Sequence, residues 1–105
     1  MAQFDVYRNN GRQRSVIPYL LAVQSRRFDA SARRVVVPLL ASEAITATDP
    51  GFTPSFMVEG RMVVLNPLNM ASIPVEALGD CVCSLQEDGD RIIAAIDLLI
   101  SRAWG

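Results

Sequence analysis

The sequence has no histidine among its 105 residues, and it has only two cysteines. Without histidine, the Ser-His-Asp and Cys-His arrangements that activate a nucleophile cannot form. Cys81 and Cys83 have no second ligand pair at the spacing that zinc needs, so we expect neither a metal nor a cofactor. The six glycines are too scattered to form a phosphate-binding loop. These absences argue against the commonest kinds of enzyme active site.

Long apolar runs and lysine are also missing. No segment reaches the roughly 18 uncharged apolar residues of a membrane span, and no basic segment precedes an apolar one near the N-terminus. We therefore expect a cytoplasmic protein without membrane contact. The net charge of −1 gives no general attraction for nucleic acid, although all ten basic residues are arginine. Hydrophobic residues make up 50% of the chain, which predicts an oligomer interface for the surplus apolar surface.

The two cysteines lie one residue apart on a predicted strand end. A disulfide between residues i and i+2 of an extended chain would be strained. We therefore expect Cys81 and Cys83 to be free thiols in a reducing compartment.

Alternating and β-branched segments predict five or six short strands. These segments are residues 3–8, 17–23, 35–39, 56–59, 61–65 and 73–78. Gly60 predicts a tight hairpin between two of them, and Asn-Asn-Gly at 9–11 predicts a turn. Pro18, Pro38 and Pro74 are expected at strand ends, edges or bulges. Residues 42–48 are compatible with a helical turn, and the whole pattern predicts a small curled sheet or barrel followed by one helix.

The helix is predicted over residues 84–104, with Ser84 and Glu87 as a capping box. We expect one domain over residues 1–105, with the barrel in residues 1–83. Two apolar stripes run along the helix. They consist of Ile92, Ile96, Leu99 and Ala103, and of Ile93, Ile100 and Trp104 on the other side of Asp97. The first stripe suffices to dock the helix, so the second predicts a partner, unless Trp104 folds back onto the core.

Five segments, in order over nearly the whole chain, resemble the CcdB family of plasmid-addiction toxins. They are Phe4-x-Val6-Tyr7, Val23-Gln24-Ser25, Arg33-Arg34-Val35-Val36-Val37-Pro38-Leu39, Asn69-Met70-Ala71-Ser72-Ile73-Pro74-Val75 and Ile92-x-x-Ala95-Ile96-x-Leu98-Leu99. The resemblance implies an SH3-like small barrel with a C-terminal helix, the CcdB/MazF-type toxin fold. It also implies a homodimer that is not an enzyme.

The resemblance further implies the toxin of a type II toxin-antitoxin system. Such a toxin binds the DNA gyrase A subunit and traps the complex of gyrase with cleaved DNA. A CcdA-like antitoxin neutralises it through a disordered tail, and DNA is reached only through gyrase or the antitoxin complex, as in transcription autoregulation.

The same resemblance implies three groups of site residues. The gyrase-binding group is Trp104, Gly105, Ser101, Ile100, Asp97, Arg27 and Phe28. The antitoxin-binding group is Arg12, Arg14, Arg26 and Arg33. The arginines of the first hairpin and of residues 26–34, beside Phe28, predict either an acidic peptide as ligand or a solvated basic edge. The dimer-interface group is Asn69, Met70, Ala71, Ser72 and Ile73.

The chain departs from the family pattern at two of these places. A gapless alignment puts Ser101 where the gyrase-contacting tryptophan stands in gyrase poisons, and Trp104 comes three residues later. Three residues turn a helix by about 300° and lengthen it by about 4.5 Å. Arg27 and Phe28 occupy the place of two aliphatic residues, and only Phe28 keeps the apolar character.

Two other functions compete with gyrase poisoning. One is a non-poisoning CcdB relative that acts as an antitoxin partner or regulator. The other is a MazF-like endoribonuclease, a fold relative in which an arginine and a hydroxyl residue cut RNA, with Arg12, Arg14 and Ser15 as candidates. The Arg-Pro step that such ribonucleases carry after their first turn is missing, and the balanced charge attracts RNA phosphates weakly.

Overall fold

The protein, described here from a computed structural model over residues 2–45 and 49–101, is an antiparallel sheet with one α-helix. The seven strands are β1 (Asp5–Asn9), β2 (Tyr19–Ala22), β3 (Arg33–Ala41), β4 (Ser55–Val58), β5 (Arg61–Leu65), β6 (Ala71–Pro74) and β7 (Leu78–Ser84). The helix α1 spans Gly89–Ile100. Short 3-10 turns occupy Arg26–Phe28, Ser42–Ala44, Pro67–Asn69, Val75–Ala77 and Gln86–Asp88. The mainly β fold predicted from the sequence is confirmed.

The strands lie in the order β4-β5-β3-β2-β1-β7, and β6 pairs with the first half of β3. Register places apolar side chains on one face, because Val6 lies opposite Leu21 and Leu21 opposite Val37. This face is the hydrophobic core, to which α1 contributes Ile92 and Ala95, both with no exposed surface. The helix therefore closes one face of the curled sheet.

The hairpin predicted around Gly60 is confirmed. Strands β4 and β5 are joined by Glu59 and Gly60, which have φ angles of 51° and 79°. Two positive φ values are typical of the type I′ turn, whose twist matches that of the paired strands. Glycine adopts this conformation freely, whereas Glu59 needs contacts that hold it there.

Pro38 does not end β3, as the sequence predicted, but lies inside it opposite Leu20. The carbonyl of Pro38 accepts the Asn66 N–H at 3.1 Å, so its nitrogen faces the same side of the strand. On that side, β6 pairs with Arg33 to Val36 and β5 pairs with residues from Leu39 onward. The missing N–H therefore falls between two partner strands and removes no ladder hydrogen bond.

The helix begins at Gly89 and not at Ser84, so the predicted capping box is wrong. Ser84 lies in β7 opposite Asp5, and the Leu85 N–H donates to the Phe4 carbonyl at 2.8 Å. Pairing with β1 thus keeps Ser84 in an extended strand. The Ser84 hydroxyl accepts the Gln86 N–H at 3.3 Å, whereas a capping box would require it to accept the Glu87 N–H. The sequence pattern could not reveal a strand partner almost eighty residues earlier in the chain.

Candidate functional site

The outer face of α1 is apolar and exposed. Ile93 is 45% exposed and Ile100 is 65% exposed, whereas Ile92 on the inner face is fully buried. Ile96 packs against the core as a partly buried residue. The two predicted stripes are therefore confirmed for the residues that the structure describes, with one stripe docked and the other facing solvent. Ala103, Trp104 and Gly105 lie outside the described residues.

The end of α1 carries a compact polar group. The Ser101 hydroxyl donates to the backbone carbonyl of Asp97 at 3.0 Å and lies 3.1 Å from its Oδ1. The Ser101 N–H donates to the same carbonyl at 2.8 Å. Ile100 stands beside this group, so the three predicted gyrase-binding residues of the last described turn are adjacent to one another.

The other two predicted gyrase-binding residues, Arg27 and Phe28, form the 3-10 turn Arg26–Phe28. The Ser25 hydroxyl accepts the Arg27 N–H at 3.3 Å, which caps the turn. The Arg27 guanidinium lies 5.9 Å from the centre of the Phe28 ring, within cation-π range. Phe28 is 55% exposed, so an apolar ring and a cation are presented together.

Arg34 fixes the loop that carries this turn. Its Nη2 donates to the Asp29 carbonyl at 2.8 Å. Its Nη1 donates to the carbonyls of Ser31 at 2.6 Å and Arg33 at 2.9 Å. Arg34 is only 6% exposed, so it does not belong with the arginines expected to meet an acidic peptide in the 26–34 stretch. Arg26, Arg27 and Arg33 remain exposed there.

An apolar groove of about 460 Å³ opens beside Phe28. Its lining residues are Val23, Gln24, Ser25, Phe28, Ser31 and Val35. The Gln24 amide holds two walls together, since it donates to the Phe28 carbonyl at 3.0 Å and accepts the Val35 N–H at 3.1 Å. An apolar groove with exposed arginines around it can receive an apolar anchor with acidic flanks.

One contact joins a residue of the predicted antitoxin-binding group to a residue of the predicted dimer interface. Arg33 donates through Nε to the Ser72 hydroxyl at 2.9 Å and through Nη2 to the Ser72 carbonyl at 2.6 Å. Ser72 lies in β6, which follows the turn Pro67–Asn69 against which α1 packs. Ala71 and Ser72 are exposed, Ile73 is half-buried, and Met70 packs against the core. Asn69 is exposed and accepts a hydrogen bond from the Asn66 amide.

The first loop, residues 10–18, presents Arg12, Arg14 and Ser15 to solvent. Arg14 donates to the Gly11 carbonyl at 3.3 Å. Two arginines distant in sequence, Arg8 and Arg61, share one pocket with Arg14, and sequence reasoning missed both. Only strand pairing brings β1 and β5 residues to this place, so no local pattern could have found them.

Burial raises the pKa of the Cys81 and Cys83 thiols, and for Cys81 the nearby Asp5 carboxylate adds to the effect. Burial likewise raises the pKa of Tyr7 to about 12. Both cysteines are free, which confirms the expected thiols. A raised pKa keeps them protonated and weakly nucleophilic at neutral pH.

Within residues 2–45 and 49–101, no helix has the length and apolar character needed to span a bilayer. No three His, Cys, Asp or Glu side chains gather there as a metal site would require.

A curled, mainly β sheet followed by a C-terminal helix with an exposed outer face is a fold of the CcdB/MazF toxin type. Solved structures that share it include two endoribonucleases. An endoribonuclease in complex with its cognate antitoxin, from a mycobacterial species, has a TM-score of 0.73 at 17% identity, with 100% of this chain and 99% of that chain covered. An endoribonuclease from a mycobacterial species has a TM-score of 0.72 at 17% identity, with 100% and 95% covered. No curated protein matches significantly.

The sequence narrows the class to one family. The family model described as CcdB protein matches residues 3–101, and the chain belongs to the CcdB family. This membership supports a toxin role. The identity to the two solved structures is low enough that they show the fold alone.

Proposed function

We propose that the protein is the toxin of a type II toxin-antitoxin system that binds the DNA gyrase A subunit and traps the gyrase-DNA cleavage complex. The observation that carries the proposal is the CcdB family match over residues 3–101. The exposed outer face of α1, with Ile93 and Ile100, supports it, because that apolar face has no partner within the described chain. The action is binding and not catalysis.

The gyrase contact is assigned to the end of α1. Trp104 is the anchor, Gly105 allows close approach, and Ile100, Asp97 and Ser101 flank it. A planar indole loses little side-chain entropy on binding and can stack on a guanidinium. Arg27 and Phe28 form a second contact, in which the exposed ring supplies the apolar surface.

The gyrase assay tests this assignment directly. Purified protein is mixed with gyrase, supercoiled plasmid and ATP, and the products are separated after protein digestion. Accumulation of linear plasmid is the expected result, and omission of ATP or use of the Trp104→Ala variant is the control. Full supercoiling without linear product would contradict gyrase poisoning and would leave the non-poisoning relative and the ribonuclease as the remaining candidates.

The neutralising partner is assigned as a CcdA-like antitoxin with an acidic, disordered segment. Arg12, Arg14, Arg26 and Arg33 supply positive charge, and the groove beside Phe28 supplies an apolar anchor site. The solved neighbour that binds a cognate antitoxin supports a partner of this kind. The antitoxin complex is also the route by which the protein reaches DNA in transcription autoregulation, in the cytoplasm.

Changing Arg12 and Arg14 to alanine tests the charge part of this assignment. We expect slower association with the antitoxin and a weaker dependence of the association rate on salt, because exposed charges act mainly through long-range attraction. Surface plasmon resonance at two salt concentrations measures both. Unchanged association at both concentrations would contradict the role of this loop.

A ribonuclease is the second candidate, because both solved neighbours are endoribonucleases. Arg12, Arg14 and Ser15 are exposed and would have to supply the chemistry. Expression in growing cells separates the functions: loss of total RNA indicates the ribonuclease, linear plasmid indicates gyrase poisoning, and undisturbed growth indicates the non-poisoning relative.

A further inference from the structure

A small pocket lies where the first loop meets β1, β2 and β5. Its volume is about 250 Å³, below the range of about 300–1,000 Å³ typical of small-molecule sites. The lining residues are Arg8, Asn9, Asn10, Arg14, Pro18, Tyr19 and Arg61. Every charged side chain in this lining is an arginine, and the three arginines come from three different elements.

Two of these arginines are held by carboxylates that do not line the pocket. Arg8 Nη2 lies 2.7 Å from Glu59 Oε2, and Arg61 Nη2 lies 3.3 Å from Glu43 Oε1. Each contact uses one end of the guanidinium, which has five N–H donors. The ion pairs therefore fix the direction of the side chains and leave donors for a ligand. Arg14 contributes a third cation, held by the Gly11 carbonyl.

We infer that this pocket binds the terminal phosphate of a phosphate monoester. Three arginines that line one pocket from different elements match a tetrahedral group with three terminal oxygens and a charge of about −1.5 to −2. A planar carboxylate, by contrast, is satisfied by one bidentate arginine. Asn10 lies in the same lining, whereas the Asn9 amide already donates to the Ile17 carbonyl and accepts the Gly11 N–H. The volume suits a phosphate with its first bonded atoms.

The surroundings disfavour a nucleic-acid strand as the ligand. Single-stranded chains are bound by basic grooves with exposed aromatic rings on which bases stack. Tyr19 is the aromatic residue in this lining, it is only 5% exposed, and its hydroxyl donates to Glu59 Oε1 at 2.6 Å. Its ring is therefore not available for stacking.

The same contacts leave Glu59 and Tyr19 unsuited to acid-base catalysis. The Tyr19 hydrogen bond, together with Arg8, holds the pKa of Glu59 below its ordinary range. Burial and the Glu59 contact raise the pKa of Tyr19. Neither group is suited to move a proton at neutral pH, where general acid-base catalysis needs a pKa near the working pH.

Titration calorimetry of the full chain with inorganic phosphate at neutral pH and low salt tests the inference. We expect saturable binding that Arg14→Gln weakens by about tenfold, the loss expected for a hydrogen bond to a charged group. Arg61→Gln is the second variant. Arg91→Gln removes the same charge from α1, away from the pocket, and should leave the affinity within about twofold. Circular dichroism verifies that each variant is folded.

Ligand controls distinguish the sources of the phosphate. Adenosine 5′-monophosphate and phosphoserine carry the monoester on a nucleoside and on an amino acid, and tighter binding of either than of inorganic phosphate identifies the source. Cyclic 3′,5′-adenosine monophosphate has two terminal oxygens and should bind more weakly than the 5′-monophosphate. Equal binding of the cyclic diester, equal binding of acetate, no binding of phosphate at millimolar concentration, or an unchanged affinity in Arg14→Gln would each overturn the inference.

Discussion

Glu59 is the residue that joins the β4–β5 hairpin to strands β1 and β2. It accepts hydrogen bonds from the Arg8 guanidinium at 2.7 Å and the Tyr19 hydroxyl at 2.6 Å. These contacts also explain how a residue that is not glycine keeps a φ of 51°. Both contacts favour the ionised carboxylate, so the stability that Glu59 confers depends on pH.

The sign of this dependence follows from the lowered pKa of Glu59, whose ordinary value is 4.5. Its stabilisation is fully present above about pH 4.5 and is lost as the pH falls through the lower, folded-state pKa. We therefore expect Glu59→Gln to be less stable than the wild-type protein at pH 7, with a smaller difference at pH 3. Urea unfolding at both pH values measures this, with Glu76→Gln as the charge-matched control. A difference that persists unchanged at pH 3 would show that ionisation of Glu59 is not involved.

Trp104 is the residue on which gyrase poisoning is proposed to depend. Truncation to alanine should abolish growth arrest, because an interface hot spot of this kind contributes a few kcal/mol. The fold and antitoxin binding should be intact, because the described core contacts of α1 end before residue 101. Growth of cells that express the variant measures toxicity.

Ser101→Arg distinguishes the position of that contact. If the Trp104→Ala variant still arrests growth fully and the Ser101→Arg variant does not, the gyrase contact lies one turn earlier than proposed. If neither change affects growth arrest, the gyrase assignment itself is wrong.

Among the elements, the β4–β5 hairpin depends most on one backbone conformation. Gly60 has a φ of 79°, and no atom beyond Gly60 and its two chain neighbours lies within 4 Å of where its Cβ would be. Gly60→Ala should therefore cost about 1 kcal/mol of unfolding free energy from backbone strain alone, without any clash. Chemical denaturation measures this cost.

Gly51→Ala is the matched control, because its backbone is outside the left-handed region and the nearest atom to its Cβ would be 3.6 Å away. We expect its effect to stay within about 0.5 kcal/mol. Equal losses in both variants would indicate that general glycine removal, and not the positive φ, destabilises the protein.

At the scale of the whole molecule, we predict a two-fold homodimer. Leu68 is 69% exposed beside the proposed interface of Asn69 to Ile73, and β6 pairs with β3 on one side only among the described strands. An exposed apolar residue next to an open strand edge favours self-association. Light scattering at micromolar concentration should give twice the mass of the chain.

Ala71→Arg should shift this protein to the monomer by placing a charge in the interface, because an unpaired buried charge is costly. Ala77→Arg introduces the same group at an exposed residue of the Val75–Ala77 turn and should keep the dimer mass. A wild-type chain that scatters as a monomer would contradict the prediction.

Much of this fold could be predicted from the sequence because its signals are local. The Gly60 hairpin, the core strand around Val37 and the two faces of α1 follow from turn chemistry and apolar periodicity over a few residues. The candidate surfaces on Phe28 and Ile100 could also be predicted, since each is an apolar residue at a position that the family resemblance marks. The absence of histidine excluded nucleophiles that are activated by histidine, and this could be read from the sequence alone.

Only the tertiary structure decided which residues meet across the chain. It keeps Ser84 in a strand by pairing it with Asp5, and it buries Arg34 among the carbonyls of its own loop. It also joins Arg8 and Arg61 in one pocket. The physical reason is that periodicity reports which face of one element is apolar, whereas register between strands distant in sequence depends on the packing of the whole sheet.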